Sequence, residues 1–266
     1  MGTLRKSVVS MVVAATITGV LGFDGAVRAD HHAAAEAQPQ ADQKAVLVTG
    51  ASSGIGLKIT EVLAGRGIHV YAGARKQADL ERLEAMDNVT SVRLDVTDQT
   101  EIDAAVAKIT AAGRGLHGLV NNAGVAIVAP LIEVDESELD FIFDVNIYGP
   151  YRVTKAFAPL IIESKGRITT ISSISGILSG TLFGPYSMSK HAMEAYGDSL
   201  AREMARFDVK VSLVEPGNYK SKIGETLKKR MDSQGVDLEN THYREEMERM
   251  LARMDEANDE KDPKEY

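Results

Sequence analysis

The sequence predicts an α/β fold, a doubly wound parallel sheet flanked by helices in a single domain. Two patterns indicate it: short apolar runs alternate with longer segments of helical spacing from Lys44 onward, and a glycine-rich turn follows the first run. Such alternation is typical of parallel βαβ units, whose right-handed crossovers place helices on both faces of the sheet. The 266 residues, 44% of them hydrophobic, suffice for one domain with a substantial core.

The alternation gives six strands and five helices before a charged C-terminal stretch. The predicted strands are residues 44–48, 68–73, 89–94, 116–121, 166–172 and 208–214, and the predicted helices are residues 57–67, 76–86, 98–112, 135–163 and 184–206. Asp98 is expected to cap the third helix. Ligands of such sheets bind beyond the carboxyl ends of the strands, where the strand order reverses, so we expect the functional residues at that edge.

Composition excludes several classes of function. The formal net charge of −8 argues against nucleic acid as the main partner, because phosphate backbones need a basic surface. The absence of cysteine excludes disulfides, thiolate catalysis and cysteine metal sites. The six histidines form no ligand pattern, so no metal site is expected.

The glycine-rich turn "TGASSGIG" contains Gly50, Gly54 and Gly56 and opens the first helix. Glycine lets the main chain turn tightly and approach a pyrophosphate, which the N-terminus of the helix then binds. In this context the turn predicts a dinucleotide site in a Rossmann-type sheet, although many such turns need glycine for steric reasons alone. The expected cofactor contacts in it are Thr49, Gly50, Ser52, Ser53, Gly54, Ile55 and Gly56.

The end of the second predicted strand indicates which dinucleotide is bound. An acidic residue there would bind the ribose 2′-hydroxyl of NAD, whereas arginine would bind the 2′-phosphate of NADP. The sequence "VYAGARK" has Ala74 followed by Arg75 and Lys76. Two cations without a carboxylate favour NADP(H) over NAD(H), the alternative being that they belong to a solvated loop.

Two segments place a tyrosine and a lysine four positions apart: "YRVTK" at residues 151–155 and "YSMSK" at residues 186–190. At this spacing both side chains share one face of a helix. Either pair is compatible with acid–base chemistry or with an ordinary amphipathic surface, and spacing alone does not distinguish them.

Seven motifs in this order resemble those of the short-chain dehydrogenase/reductase family, in the branch with TGxxxGxG and YxxxK signatures. They are "TGASSGIG", "LDVTD", "NNAG", "DVN", "ISS", "YSMSK" and "PGNYKS", and the resemblance covers roughly residues 44–221. The family pattern has a serine 13 positions before the catalytic tyrosine. That position is Ser173 for Tyr186 and Glu138 for Tyr151, so the resemblance selects Tyr186 and leaves Tyr151 and Lys155 as a packing and solvent pair.

The resemblance also implies the catalytic roles. Tyr186 is the general acid or base, Lys190 lowers its pKa and binds the nicotinamide ribose, Ser173 orients the substrate oxygen, and Asn146 holds a water relay to Lys190. Free tyrosine titrates near 10, so a nearby ammonium would bring the phenol closer to a useful pKa.

Further cofactor contacts follow from the same resemblance. They are Asp95 and Val96 in "LDVTD", Asn121 lining the cleft with Asn122, Ala123 and Gly124, and Pro216, Gly217 and Ser221 near the carboxamide. The implied function is an NADP(H)-dependent carbonyl reductase or alcohol dehydrogenase, acting as a homo-oligomer. The alternative is a non-catalytic NADPH-binding sensor or scaffold. The "GILSGTLFGP" segment and a methionine-containing C-terminal stretch favour a small apolar alcohol or ketone, and "EPGNYKSKI" resembles steroid- and retinol-type members.

The two ends differ from this catalytic domain, residues 44–221. Residues 1–29 have a basic start and an apolar run, which predicts a cleaved signal peptide and export, or else a retained membrane anchor. Residues 30–43 are expected to be a disordered linker. Residues 222–266 are charged with helical spacing, which indicates a substrate lid or a solvated helix. The chain stops at "KDPKEY", so we expect a sheet without the last strand of the family and a less stable or differently assembled protein.

Overall fold

The computed structural model describes residues 43–217, 223–234 and 239–259. Six strands form one parallel sheet in the order β3-β2-β1-β4-β5-β6. They are β1 (Ala45–Val48), β2 (His69–Ala74), β3 (Val89–Arg93), β4 (Gly118–Asn121), β5 (Arg167–Ile171) and β6 (Lys210–Val214). The predicted signal or anchor, residues 30–42 of the predicted linker, and Ser221 lie outside the described residues.

Helices alternate with these strands, which confirms the predicted Rossmann-type architecture. Their bounds are α1 (Gly54–Gly65), α2 (Gln77–Glu84), α3 (Gln99–Ala111), α4 (Glu136–Phe143), α5 (Gly149–Glu163), α6 (Gly184–Met204), α7 (Ile223–Gln234) and α8 (Arg244–Asp259). Asp98 caps α3 as predicted, since its side chain accepts hydrogen bonds from two main-chain N–H groups of the first turn. None of the helices within the described ranges is long and apolar enough to cross a membrane.

The central strands β1 and β2 are buried on both faces of the sheet. Leu47 belongs to an apolar cluster formed with α3 and α5, whereas its neighbour Val48 belongs to a second cluster formed with α1 and α2. Successive side chains of a strand point to opposite faces, so one short apolar run contributes to both cores. The strand order reverses between β1 and β4, where Val48 pairs with Val120. The carboxyl ends of β1, β4 and β5 therefore meet at one edge, as the sequence predicts.

The single helix predicted for residues 135–163 is interrupted. Between α4 and α5 lies a π-helical turn, Asp144–Tyr148, which holds Asn146. Pro150 has no N–H and so cannot donate to the carbonyl four residues earlier, which is that of Asn146. Gly149 lies directly against Val96, where a side chain would meet the valine at 2.7 Å. The helix thus widens where it passes Val96 in the segment after β3, a change that apolar periodicity does not reveal.

The two C-terminal helices of the described chain form a cap. Leu227 and Met231 of α7 pack with Met247 and Met250 of α8 in an apolar cluster, which also contains Val128 and Leu182 from the loops beyond β4 and β5. We call α7 and α8 the two-helix cap. At the sheet, β6 is an edge strand, and no other strand of the described ranges pairs with its outer side.

Candidate functional site

The glycine-rich turn between β1 and α1 is shaped by close main-chain contacts. Gly50 has φ +64°, and a side chain there would meet the Ala123 Cα at 2.9 Å. A side chain at Gly56 would overlap the Gly50 carbonyl oxygen and the Asn122 amide nitrogen. Both positions therefore require glycine for this turn to pack against the end of β4.

Thr49 and Asn122 hold this turn in place. The Thr49 hydroxyl accepts hydrogen bonds from the main-chain N–H groups of Asn122 and Ala123, both at 3.0 Å. The Asn122 side-chain amide donates to the Thr49 and Gly50 carbonyl oxygens at 3.0 and 3.1 Å. The Thr49 hydroxyl is therefore used within the protein, and any contribution of Thr49 to a cofactor is indirect.

Asn121 does not line the cleft as the resemblance implied. Its side chain is buried and donates to the Thr154 hydroxyl of α5 at 2.9 Å. Because neighbouring strand residues face opposite sides, Asn122 is the one that reaches the turn.

The start of α1 is suited to bind an anion. Ser53 precedes the helix, and its side chain makes no capping hydrogen bond. The first turn has no acidic residue, so the N–H groups of Gly54, Ile55 and Gly56 are not opposed by a carboxylate. Ser52 on the same turn accepts a hydrogen bond at its carbonyl from Arg82 of α2, at 2.5 Å.

A group of cations lies beyond the ends of β2 and β3. Arg75 and Lys76 are exposed, and Arg75 forms a 3.4 Å ion pair with Asp95. A third cation, which the sequence reasoning missed, is Arg93 at the end of β3; its guanidinium donates to the Arg75 carbonyl at 2.7 Å. The position of Arg93 beside Arg75 follows from the parallel register of β2 and β3, which pairs Arg93 with Ala74. The sequence alone does not give this register.

Asp95 is held by hydrogen bonds from Thr97 and by its ion pair with Arg75. Burial raises the pKa of Asp95, but hydrogen bonds from Thr97 and the Arg75 charge outweigh it, so the pKa is below its ordinary value.

The Val96 side chain is buried in the core. Among the later predicted contacts, Pro216 bonds through its carbonyl to the Ile174 N–H at 3.1 Å, and Gly217 has open space around it.

Ser173, Tyr186 and Lys190 converge beyond the end of β5. Ser173 lies two residues after that strand, and its hydroxyl caps a short 3₁₀ turn by accepting from the Ser175 N–H at 3.1 Å. The same hydroxyl lies near enough to the Tyr186 side chain to lower the pKa of the phenol. Lys190 is 7% exposed and donates to the Ile171 carbonyl at 3.0 Å. Its Nζ lies 5.6 Å from the Tyr186 ring centroid. The structure thus brings the predicted trio together.

The pKa values of this trio differ from expectation in one respect. Burial raises the pKa of Tyr186 above its ordinary value, and the neighbouring Ser173 hydroxyl offsets only part of this. Burial lowers the pKa of Lys190 from 10.5 to about 8, while the Glu194 carboxylate acts in the opposite direction. The pKa of Tyr186 in the chain itself is therefore raised rather than lowered, with the Lys190 ammonium hydrogen-bonded to the Ile171 carbonyl and 5.6 Å from the Tyr186 ring centroid.

Asn146 joins the π-helical turn to this site. Its side chain accepts from the Val125 N–H and donates to the Val125 carbonyl, both at 2.9 Å, and donates to the Ser189 hydroxyl at 3.0 Å. A side chain at Gly124 would meet Asn146 Oδ1 at 3.3 Å and Lys190 Nζ at 3.9 Å. Ser189, fully buried within the "YSMSK" segment, is a contact that the sequence reasoning did not identify.

The second tyrosine–lysine pair has no such surroundings. Tyr151 is 47% exposed, Lys155 is also exposed, and Lys155 Nζ approaches the Tyr151 hydroxyl at 3.4 Å. The position of the serine is taken by Glu138 on α4, which instead pairs with Arg230. The structure therefore agrees with the interpretation of Tyr151 and Lys155 as a surface pair.

A charged contact ties the two-helix cap to α4. Arg230 donates through two nitrogens to the Glu138 carboxylate, both at 2.7 Å, and its guanidinium carbon lies 3.8 Å from the Phe141 ring centroid. Glu133 accepts hydrogen bonds from Thr241 and His242, which lie just before α8. These contacts place the two-helix cap beside the loops that follow β4 and β5.

The family model for short chain dehydrogenases matches residues 44–232. The chain belongs to this family. It is 34% identical over 197 residues to the uncharacterized oxidoreductase YbbO of Escherichia coli, covering 73% of each protein. It is 36% identical over 223 residues to the NADPH-dependent 3-dehydrocapnine reductase of Ornithobacterium rhinotracheale, covering 80% of this chain and 76% of that one.

Solved structures show the same fold. A short chain dehydrogenase/reductase from Burkholderia phymatum in complex with NAD is 26% identical, with a TM-score of 0.72, and the match covers 83% of this chain and 81% of that one. The predicted family and fold class are thereby confirmed. The chain is an oxidoreductase of the short-chain dehydrogenase family.

Proposed function

We propose that this protein transfers a hydride between NADP(H) and a carbonyl or secondary alcohol, with Tyr186 as the general acid or base. The observation that carries the proposal is the convergence of Ser173, Tyr186 and the buried Lys190, whose Nζ lies 5.6 Å from the Tyr186 ring centroid. The three side chains lie at the same edge of the sheet as the glycine-rich turn. A reacting carbonyl held there would meet a proton donor and a second hydroxyl together.

The residues present fit a nicotinamide dinucleotide. Gly50 and Gly56 keep the turn free of side chains, and the start of α1 offers unopposed N–H groups to a pyrophosphate. The bound cofactor supplies or accepts the hydride. In the direction of reduction, Tyr186 donates its phenolic proton to the substrate oxygen while Ser173 hydrogen-bonds the same oxygen. The Lys190 ammonium stabilises the resulting phenolate, and Asn146 holds the proton relay to Lys190.

NADP(H) is the proposed cofactor because Arg75, Lys76 and Arg93 place three cations beyond β2 and β3. The charge of a 2′-phosphate would be attracted to these cations, whereas the 2′-hydroxyl of NAD carries no charge. The relative named as an NADPH-dependent reductase supports this choice, while a solved neighbour named in complex with NAD shows that both dinucleotides occur among similar proteins.

The proposed substrate is a small apolar alcohol or ketone. Ile177 and Leu178, which follow Ser173 closely, are 67% and 66% exposed. The two-helix cap presents methionine and leucine side chains to neighbouring loops. Apolar surface at the entrance of a site favours substrates that lose water readily.

The Tyr186→Phe variant tests the proposal. It removes the proton donor but keeps the ring, so turnover should fall at least about 100-fold while NADPH binding persists. Turnover is followed by NADPH absorbance across a panel of aldehydes and ketones, and binding by NADPH fluorescence. A wild-type protein that binds NADPH but reduces no substrate, with a cellular function kept by the phenylalanine variant, would instead indicate a sensor or scaffold.

We also propose a homo-oligomer, supported by two aromatic side chains on one surface, Tyr148 and Tyr151, which are 55% and 47% exposed. A mass measured by size exclusion with light scattering tests this. For residues 1–29, we propose a signal that exports the protein or, if retained, anchors it to a membrane. Sequencing of the mature N-terminus after cell fractionation tests that proposal.

A further inference from the structure

The 3₁₀ turn that begins at Ser173 is held by hydrogen bonds of its main chain. Ser173 accepts at its carbonyl from the Gly176 N–H at 2.8 Å and at its hydroxyl from the Ser175 N–H at 3.1 Å. The Ile174 N–H donates to the Pro216 carbonyl at 3.1 Å, which ties the turn to the loop after β6. The position of the Ser173 hydroxyl therefore depends on where this turn lies.

Glu194 of α6 packs directly against this turn. A side chain at Gly176 would meet Glu194 Oε1 at 2.7 Å and Glu194 Cγ at 3.0 Å. The φ of Gly176 is not in the left-handed region, so glycine is needed here for close approach and not for backbone conformation. The turn and the side chain of Glu194 thus fit together only because position 176 has no Cβ.

The inner side of this contact is polar. Glu194 Oε1 is buried, and so is Ser172 Oγ, which lies 3.0 Å from the same point beside Gly176. Neither atom has a hydrogen-bond partner among the described residues. A hydroxyl can donate and an ionised carboxylate only accepts, so the two groups are complementary, and a donor nearby offsets the cost of burying a carboxylate oxygen.

We propose that Glu194 is a positioning residue for Ser173, which packs against Gly176 and thereby fixes the turn that Ser173 begins. Because α6 carries both Tyr186 and Glu194, the contact fixes this turn relative to the tyrosine. Its effect on turnover rests on the proposed function, whereas its effect on the turn does not.

The amide proton of Ser175 tests the proposal without turnover, since it donates to the Ser173 hydroxyl. Glu194→Ala removes the packing and should speed hydrogen exchange of the Ser175 and Gly176 amides, measured by NMR, at least about tenfold. Glu194→Gln keeps the shape of the side chain and an acceptor oxygen, so its exchange should stay close to that of wild type. The matched control is Glu203→Ala, at an exposed position on the same helix, which should leave the exchange unchanged.

Turnover gives a second readout. Glu194→Ala should lower kcat about 10- to 100-fold, because the displaced Ser173 hydroxyl no longer meets the substrate oxygen correctly. The Kd for NADPH should change little, and Glu194→Gln should restore most of the lost kcat. Glu194→Ala losses of Tm and NADPH binding that match the loss of kcat would instead assign Glu194 a general structural role and overturn the proposal.

Gly176→Ala completes a double-mutant cycle. Its methyl group would meet Glu194 Oε1 and Cγ, so it should disrupt the same contact from the other side. The losses of kcat in Gly176→Ala and Glu194→Ala should therefore not add, and the double variant should be no worse than Gly176→Ala. Gly176→Ala leaves α6 unchanged and should also speed the Ser175 exchange, so it serves if Glu194→Ala does not fold.

Additive losses of kcat, or an unchanged Ser175 exchange in Glu194→Ala, would overturn the proposal. Exchange that responds as expected in a protein that turns over no substrate would support the role of Glu194 at the turn and count only against the proposed function.

Discussion

The Asn146 side-chain amide donates to the Ser189 hydroxyl at 3.0 Å, and Ser189 donates in turn to the Tyr186 carbonyl at 2.7 Å. The π-helical turn between α4 and α5 is thereby connected to the first turn of α6, which carries Tyr186. Both side chains are almost fully buried. The position of Tyr186 thus depends on a contact outside its own helix.

Ser189→Ala should lower both stability and turnover. The substitution leaves one buried N–H of Asn146 without an acceptor, a loss of about 1–3 kcal/mol. Thermal melts and turnover are measured together. Ser199→Ala, at an exposed position on α6, is the matched control and should change neither quantity. Equal effects of the two substitutions would contradict the role of the Asn146–Ser189 hydrogen bond in positioning Tyr186.

Lys190→Met should abolish most turnover and stabilise the fold at neutral pH. The pKa of Lys190 is about 8 in the folded chain and 10.5 as the ordinary value, so its burial opposes folding below pH 8. Allowing for the lost hydrogen bond to Ile171, we expect a gain of about 1–2 kcal/mol.

The sign of the pH dependence provides the check on this prediction. Between pH 8 and 10.5, the folded protein binds fewer protons at Lys190 than the unfolded chain, so the stability of wild type rises with pH. The advantage of Lys190→Met should be largest near pH 7 and shrink toward pH 10. Urea unfolding across this range measures it, and an advantage that does not vary with pH would count against the assignment.

Arg75→Ala should weaken NADPH binding at least about tenfold and leave NADH binding nearly unchanged. The guanidinium matches a phosphate and has no equivalent partner on the ribose hydroxyl of NAD. Dissociation constants for both dinucleotides are measured by fluorescence. Arg66→Ala, which removes an exposed cation at the far end of α1, is the control. A similar loss for NADH would show that Arg75 supports the turn rather than the 2′-phosphate.

Gly56→Ala should weaken cofactor binding and destabilise the protein by about 1–3 kcal/mol, because the added methyl overlaps the Gly50 carbonyl and the Asn122 amide. Gly65→Ala, at the other end of α1, meets nothing within 4 Å. In that control the methyl should stabilise the helix by about 0.5–1 kcal/mol. Calorimetry and NADPH titration measure the two effects, and a harmless Gly56→Ala would argue against the described turn.

Arg230→Lys should loosen the two-helix cap, because lysine cannot reproduce the two bonds to Glu138 or the stacking on Phe141. The pair is partly exposed, so we expect a local loss of about 1–2 kcal/mol. Hydrogen exchange of residues 223–234 and 239–259 should rise, together with KM for an apolar substrate. The control is Arg244→Lys, which should leave the exchange unchanged because the ion pair of Arg244 with Glu248 is exposed. Equal exchange in both variants would contradict the role of Arg230 in holding the two-helix cap to α4.

Much of the site could be predicted because its determinants are local or lie at fixed spacings. The first apolar run and the glycine-rich turn follow from residue type alone, and the spacing of Ser173 and Tyr186 resembled a family pattern. Other features could not be predicted, because they depend on packing partners distant in sequence. Asn121 and Asn122 were both expected in the cleft, but Asn121 meets α5 and only Asn122 meets the glycine-rich turn. The break in the helix at Asn146 depends on Pro150 and on the contact of Gly149 with Val96.

The sequence by itself determined the succession of strands and helices along the chain and the glycine-dependent turn, since apolar periodicity and steric demand are properties of neighbouring residues. The candidate trio followed from the resemblance to a family pattern. Only the tertiary structure decided which tyrosine–lysine pair is buried, where the Lys190 ammonium points, and that Arg93 lies beside Arg75. The physical reason is that burial and electrostatic surroundings arise when separate elements pack. Tyr186 and Tyr151 share one local pattern, but only Tyr186 meets Ser173 and a buried lysine.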